Sequence, residues 1–172
     1  MTARGEAQTR GLRTSSWRAR LWRYGPVVLW AGLVLFASSA NFSASNTSRL
    51  IRPLLLWLFP DISEASITYA HFLVRKAAHF TEYALLALLA ARAFRTSARA
   101  GLARRWWLAA FALVACVALA DEYHQSLLPS RTGTVYDSLL DMTGGAAALA
   151  CAGLWLARRR RKYGNTAAPS GL

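Results

Sequence analysis

The chain is 172 residues long and 55% apolar, with seven tryptophans and a formal charge of +13; its mean hydropathy is positive, at +0.23. So much apolar content excludes a polar or disordered chain and leaves a membrane protein or a basic nucleic-acid binder, which the placement of the arginines decides. The two cysteines, Cys116 and Cys151, stand in apolar runs without CxxC or CxxH spacing, so no zinc site or disulfide framework is expected, and both read as small core residues.

Residues 1–20 form a polar, basic tail, and a first apolar run follows from Leu21 to Ala40. Basic residues before an apolar stretch ending in ASSA also suit a signal peptide, but three further runs of spanning length favour an uncleaved first helix. The connection Asn41 to Ser66 holds a shorter apolar run at 53–60, with Trp57 and Phe59. Eight residues cannot cross a hydrocarbon core of ~30 Å, so this run reads as an interfacial or re-entrant cap. The second, third and fourth runs are Ile67 to Phe94, Trp106 to Tyr123 and Val135 to Ala157, and residues 158–172 make a second basic tail. The expected fold is all-α: a polytopic membrane bundle of four transmembrane helices over 21–157.

The basic residues cluster before the first run (Arg4 to Arg23), around the second connection (Arg92 to Arg105) and after the fourth run (Arg158 to Lys162). The other two connections hold only Arg49 and Arg52, and Arg131. Lysine and arginine mark cytoplasmic flanks, so both termini are expected inside and those two connections outside. Span-flanking arginines also account for the charge without nucleic acid.

On this frame the ionisable residues gather at one depth. At 100° per residue, Phe72, Lys76, His79 and Tyr83 fall within about 60° of one another, with His71, Arg75 and Glu82 on the adjoining stripe. The third run reaches Asp121, Glu122, His124 and Gln125 at its outer end, with Asp121 and Gln125 at i, i+4; the fourth places Asp137 and Asp141 at i, i+4 in its outer half. A charge facing lipid at the helix centre costs about 2.5–3.5 kcal/mol, so these groups are expected to line a paired polar cavity open to the outer face. Gly144, Gly145 and Ala148, below Asp141, would let a neighbouring backbone come close.

The strings RKAAHFTEYALLALL and ADEYHQSLLPSRTGTVYDSLLDMTGGAAA together resemble the VanZ-like membrane family, whose pattern is K-x-x-H-F-x-E-Y, then D-E-x-x-Q, R-x-G and D-x-x-x-N/D-x-x-G. The resemblance covers roughly Val74 to Gly145. Position by position it implicates Lys76, His79, Glu82 and Tyr83, then Asp121, Glu122 and Gln125, then Arg131, Gly133, Asp137 and Asp141; at the last, many members carry asparagine. It implies a multi-pass protein of the bacterial inner membrane with a cell-envelope function, in a family whose namesake is associated with teicoplanin resistance.

Three readings of the polar layer stand beside one another. In the binding reading, Arg75, Lys76 and Arg131 hold the headgroup of a membrane lipid or lipid-linked envelope precursor, with Tyr83, Asp121, Glu122, Gln125, Asp137 and Asp141 completing the cavity. In the enzymatic reading, His79 is base or nucleophile, oriented by Glu82 or Asp141, on a phospho- or acyl-lipid. In the architectural reading the charges only fix helix register. No cofactor is expected and no metal, because Lys76 and Arg131 offer counter-charge and HExxH is absent. His124 reads as a helix-end residue, and Pro129 to Gly133 as a turn with Thr134 capping the fourth helix. A proton-relaying transporter would need a homo-oligomer, since four spans are few and no internal repeat is visible.

Overall fold

A computed structural model of the chain describes residues 17–38, 44–127 and 135–164, and all the regular structure among them is helical. The helices are α1 (Trp17–Ala37), α2 (Ala44–Leu58), α3 (Glu64–Arg95), α4 (Ala100–Arg104), α5 (Trp106–Ser126) and α6 (Val135–Gly164). α3, α5 and α6 overrun their apolar runs, and α1 begins before its own. α1 starts at Trp17 and α6 continues to Gly164, because arginine stems can lie along an apolar surface while their heads reach water; Arg18 sits over Trp17 and Arg159 over Trp155, at 5.5 and 5.2 Å. The segment around 53–60 belongs to a helix of 15 residues that holds Pro53.

α3 organises the bundle. At 32 residues it is about 48 Å long. Ser63 caps its start by accepting from the Ser66 backbone N–H at 3.2 Å, Glu64 stands in its first turn and Arg92 and Arg95 in its last, each sign matching the helix dipole. It packs most extensively on α6, then on α5 and α1. The core at these contacts is built from small and medium side chains: Ala87, Ala90, Ala93 and Leu86 of α3, Ala110, Val114 and Ala118 of α5, and Val34 of α1. Small residues at helix contacts let backbones approach where lipid supplies no hydrophobic drive.

The glycines of α6 make the closest approach. A Cβ built on Gly144 would lie 2.5 Å from the Phe80 carbonyl oxygen of α3, and one on Gly145 2.7 Å from Cγ1 of Val114 on α5. The close approach expected from Gly144 and Gly145 is therefore present on both sides of α6.

The long helices alternate in direction. Tyr24 near the start of α1 donates to Ser97 beyond the end of α3 at 3.0 Å and packs on Phe94. Arg95 lies over Trp106, at the start of α5, at 5.8 Å. A hollow of about 380 Å³ at this same end is lined by Arg92, Arg95, Trp106, Cys151 and Trp155 among others, so the basic ends of the four long helices meet.

By length and composition, α5 (106–126) and the 136–162 stretch of α6 are apolar enough to cross a membrane, yet only 28% and 17% of their apolar windows are buried. A core helix of a soluble domain would bury most of that surface; here Leu119, Leu139, Leu154 and Trp155 point outward. α1 and α3 have the length, but arginines interrupt the start of α1 and Arg75, Lys76, His79 and Glu82 the middle of α3. Cys116 and Cys151 are exposed, not core residues. Both faces of a lipid-bathed helix are apolar, so an apolar neighbourhood did not mark the inside.

The Arg52–Glu64 pair joins α2 to α3 at 2.5 Å with side chains 49% and 69% exposed. Arg52→Ala is expected to change stability by no more than about 0.5–1 kcal/mol, read from thermal unfolding in detergent.

Candidate functional site

At the end of the bundle opposite the basic groups, side chains from α1, α3, α5 and α6 meet in two stacked layers. The outer layer pairs α3 with α6. Lys76 Nζ donates to Asp137 Oδ1, and Arg75 lies 4.0 Å from Asp137 Oδ2. The Lys76 ammonium also sits 5.4 Å from the Phe72 ring, which keeps the stem against α3. Asp137 and Lys76 are half-buried, so this ion pair forms a partly wetted rim.

One turn deeper, His79 Nδ1 stands 3.5 Å from Asp141 Oδ1, an ionic contact when the imidazole is protonated. Of the two acids expected to orient His79, Asp141 is the one within this distance. Asp121 of α5 is the other deep carboxylate. Its Oδ2 accepts from Ser38 Oγ at 2.9 Å, Gln125 Nε2 at 2.9 Å and the Tyr83 hydroxyl at 3.3 Å. Gln125 also donates to Ser38 at 3.3 Å. Asp121 therefore ties α1, α3 and α5 together through neutral donors among the described residues, and Lys76, expected to offer counter-charge, is turned to Asp137. Asp121, Gln125, Ser138 and Asp141 are all buried, and the Tyr83 side chain is fully enclosed.

The remaining predicted residues lie at the margins. Glu82 is half-buried and close enough to His79, Asp121 and Asp141 to feel their charges. Glu122 is half-exposed beside the Asp137–Lys76 rim. His124 is exposed near the end of α5, as a helix-end residue. Arg131, Gly133, the Pro129 turn and the Thr134 cap lie outside the described residues.

Three contributors were not foreseen. Ser38, just past α1, is 2% exposed and bonds Asp121. Trp30 donates from Nε1 to the Glu82 carbonyl at 2.9 Å, bracing α1 against the polar turn of α3. Ser138, between the two aspartates of α6, donates to the Ala118 carbonyl at 3.5 Å. The signal for Ser38 was its depth, since a buried hydroxyl at the outer end of an apolar run needs a partner.

The expected open cavity is in fact a narrow cleft. Arg75, Lys76, His79, Asp137, Leu140 and Asp141 enclose about 10 Å³, room for one water. Any larger occupant must part α3 from α6 at the Lys76–Asp137 rim.

A family model described as VanZ/LLP1 matches residues 24–156, well over half of the chain. No curated protein and no solved structure matches it.

Proposed function

Because the chain belongs to the VanZ/LLP1 family, we propose that it is a multi-pass protein of the bacterial inner membrane with four spanning helices and cytoplasmic termini, whose polar end faces outward and takes the anionic headgroup of an envelope lipid or lipid-linked precursor. The observation that supports this most is the sharing of one partly exposed carboxylate, Asp137, by Lys76 and Arg75 at the mouth of the cleft. Asp137 occupies the place that a phosphate or carboxylate of the headgroup takes when α3 and α6 part. The bound anion then receives charge-assisted hydrogen bonds from an ammonium and a guanidinium that are already oriented. The lower part of the bundle cannot open in the same way, because Gly144 holds α6 against Phe80.

The test is binding by full-length protein in nanodiscs of neutral phospholipid, with polyprenyl phosphate as probe and neutral polyprenol as control. Polyprenyl phosphate is expected to bind and polyprenol not, with R75Q/K76Q weakening binding about tenfold or more. Equal binding of both probes would sink the proposal. So would phosphate-dependent binding that survives R75Q/K76Q and is lost in R92Q/R95Q, which would move the site to the hollow at the basic end.

A further inference from the structure

Among the described residues, the deep layer of the site holds more negative groups than fixed cations. Asp121 and Asp141 are 1% and 3% exposed. Each keeps its Oδ1 buried with no hydrogen-bond partner among the described residues. The two nearest basic side chains described, Lys76 and Arg75, are turned one layer outward onto Asp137. Of the two counter-charges that made a metal superfluous on sequence grounds, Lys76 is therefore engaged with Asp137, and Arg131 lies outside the described residues. Among the described residues it is His79 that stands against Asp141, a contact that is ionic only when the imidazole is protonated. A buried carboxylate oxygen without a hydrogen bond is costly in a protein interior and more so at membrane depth, which favours a ligand that neutralises this layer.

One ligand atom from each of His79, Asp121 and Asp141 lies within 4.8 Å of the other two. We propose that these three side chains hold a divalent metal cation, through one imidazole nitrogen and a carboxylate oxygen from each aspartate. Mixed nitrogen and oxygen donors suit manganese or zinc, at metal–ligand distances of about 2.0–2.2 Å. Neighbouring ligands of such an ion in a tetrahedral site stand about 3.3–3.6 Å apart, so binding draws the three groups inward. The supports for that movement are present. Asp121 is held by Oδ2, through Ser38, Gln125 and Tyr83, which leaves Oδ1 for the ion. Outer hydrogen bonds of this kind are what orient metal-ligating carboxylates. Glu82, near all three groups, adds negative potential that favours a divalent over a monovalent charge. This site does not depend on the headgroup reading, because none of its three ligands lies on the Arg75–Lys76 rim.

The experiment titrates MnCl2 into full-length, metal-stripped protein in a neutral detergent without added lipid and follows free Mn2+ by its EPR signal. One equivalent is expected to bind and to raise the unfolding temperature. His79→Gln and Asp141→Asn are each expected to weaken binding by at least about tenfold, while Glu64→Gln, on the exposed start of α3, leaves it unchanged. Failure of the wild-type protein to bind Mn2+ would overturn the site in favour of a proton shared by the two aspartates. Binding that both ligand variants retain would overturn it as well. Should those variants not fold, the Co2+ form of the wild-type protein decides: an intense visible d–d band of a site below six-coordination supports it, and the weak spectrum of the hexaaqua ion contradicts it.

Discussion

Asp121→Ala is expected to destabilise the bundle by about 2–4 kcal/mol, measured by thermal or denaturant unfolding in detergent. The substitution removes the acceptor shared by three donors, leaving Ser38 Oγ and the Tyr83 hydroxyl without it and Gln125 Nε2 with only its bond to Ser38; the three come from or flank three different long helices. A buried donor left without a partner costs about 1–3 kcal/mol in a soluble interior. Hydrogen bonds between membrane helices average nearer 0.6 kcal/mol in double-mutant cycles, since the separated helices also find partners. The range is a compromise between the two. Asp121→Asn keeps an acceptor oxygen and should recover more than half of the loss. Equal losses for the two variants would mean that the charge, and not the hydrogen-bond junction, is what the bundle needs.

Gly144→Leu is the second large effect, with an expected loss of at least about 3 kcal/mol or failure to fold. A Cβ at this position already meets the Phe80 carbonyl oxygen at 2.5 Å, and that neighbour is backbone, so relief requires α3 and α6 to separate. Overpacking by a single methylene costs about 1–3 kcal/mol, and a leucine adds several carbons at the tightest contact described. Gly145 supplies an internal comparison. Its Cβ would meet the Val114 side chain at 2.7 Å, which can be trimmed. Gly145→Ala is therefore expected to be rescued in part by Val114→Ala, whereas no single side-chain truncation rescues Gly144→Leu. Unfolding measurements on the single and double variants check both statements.

The helical class and the gathering of charge at one end were legible because they depend on spacing. Residues 76, 79 and 83 recur on one helical face, and 121 with 125 and 137 with 141 stand one turn apart, so any helix brings each set to one side. The glycine approach was legible for a related reason, since a missing side chain is visible in the sequence. Partner assignments were not, because they depend on how far each helix slides and turns against its neighbours. Lys76 meets Asp137 and leaves Asp121 to Ser38, Tyr83 and Gln125, an outcome that periodicity alone does not determine. Ser38 escaped notice because a lone hydroxyl at the end of an apolar run carries no charge signal. Cys116 and Cys151 face outward although they stand in apolar runs, because a membrane helix is apolar on its outer face as well. The narrowness of the cleft was out of reach altogether, since a few side-chain torsions separate a site that holds one water from a site that holds a headgroup.

Side-specific labelling tests directly whether the polar layer lies at the outer leaflet. Tyr136 is 81% exposed beside Asp137, and Ala103 lies in α4 among the arginines of the opposite end. With Cys116 and Cys151 replaced by serine or alanine, Tyr136→Cys in intact spheroplasts is expected to react with a membrane-impermeant maleimide, and Ala103→Cys to react only after lysis. Labelling of Ala103→Cys from outside, with Tyr136→Cys protected until lysis, would place the polar layer on the cytoplasmic side and contradict the account.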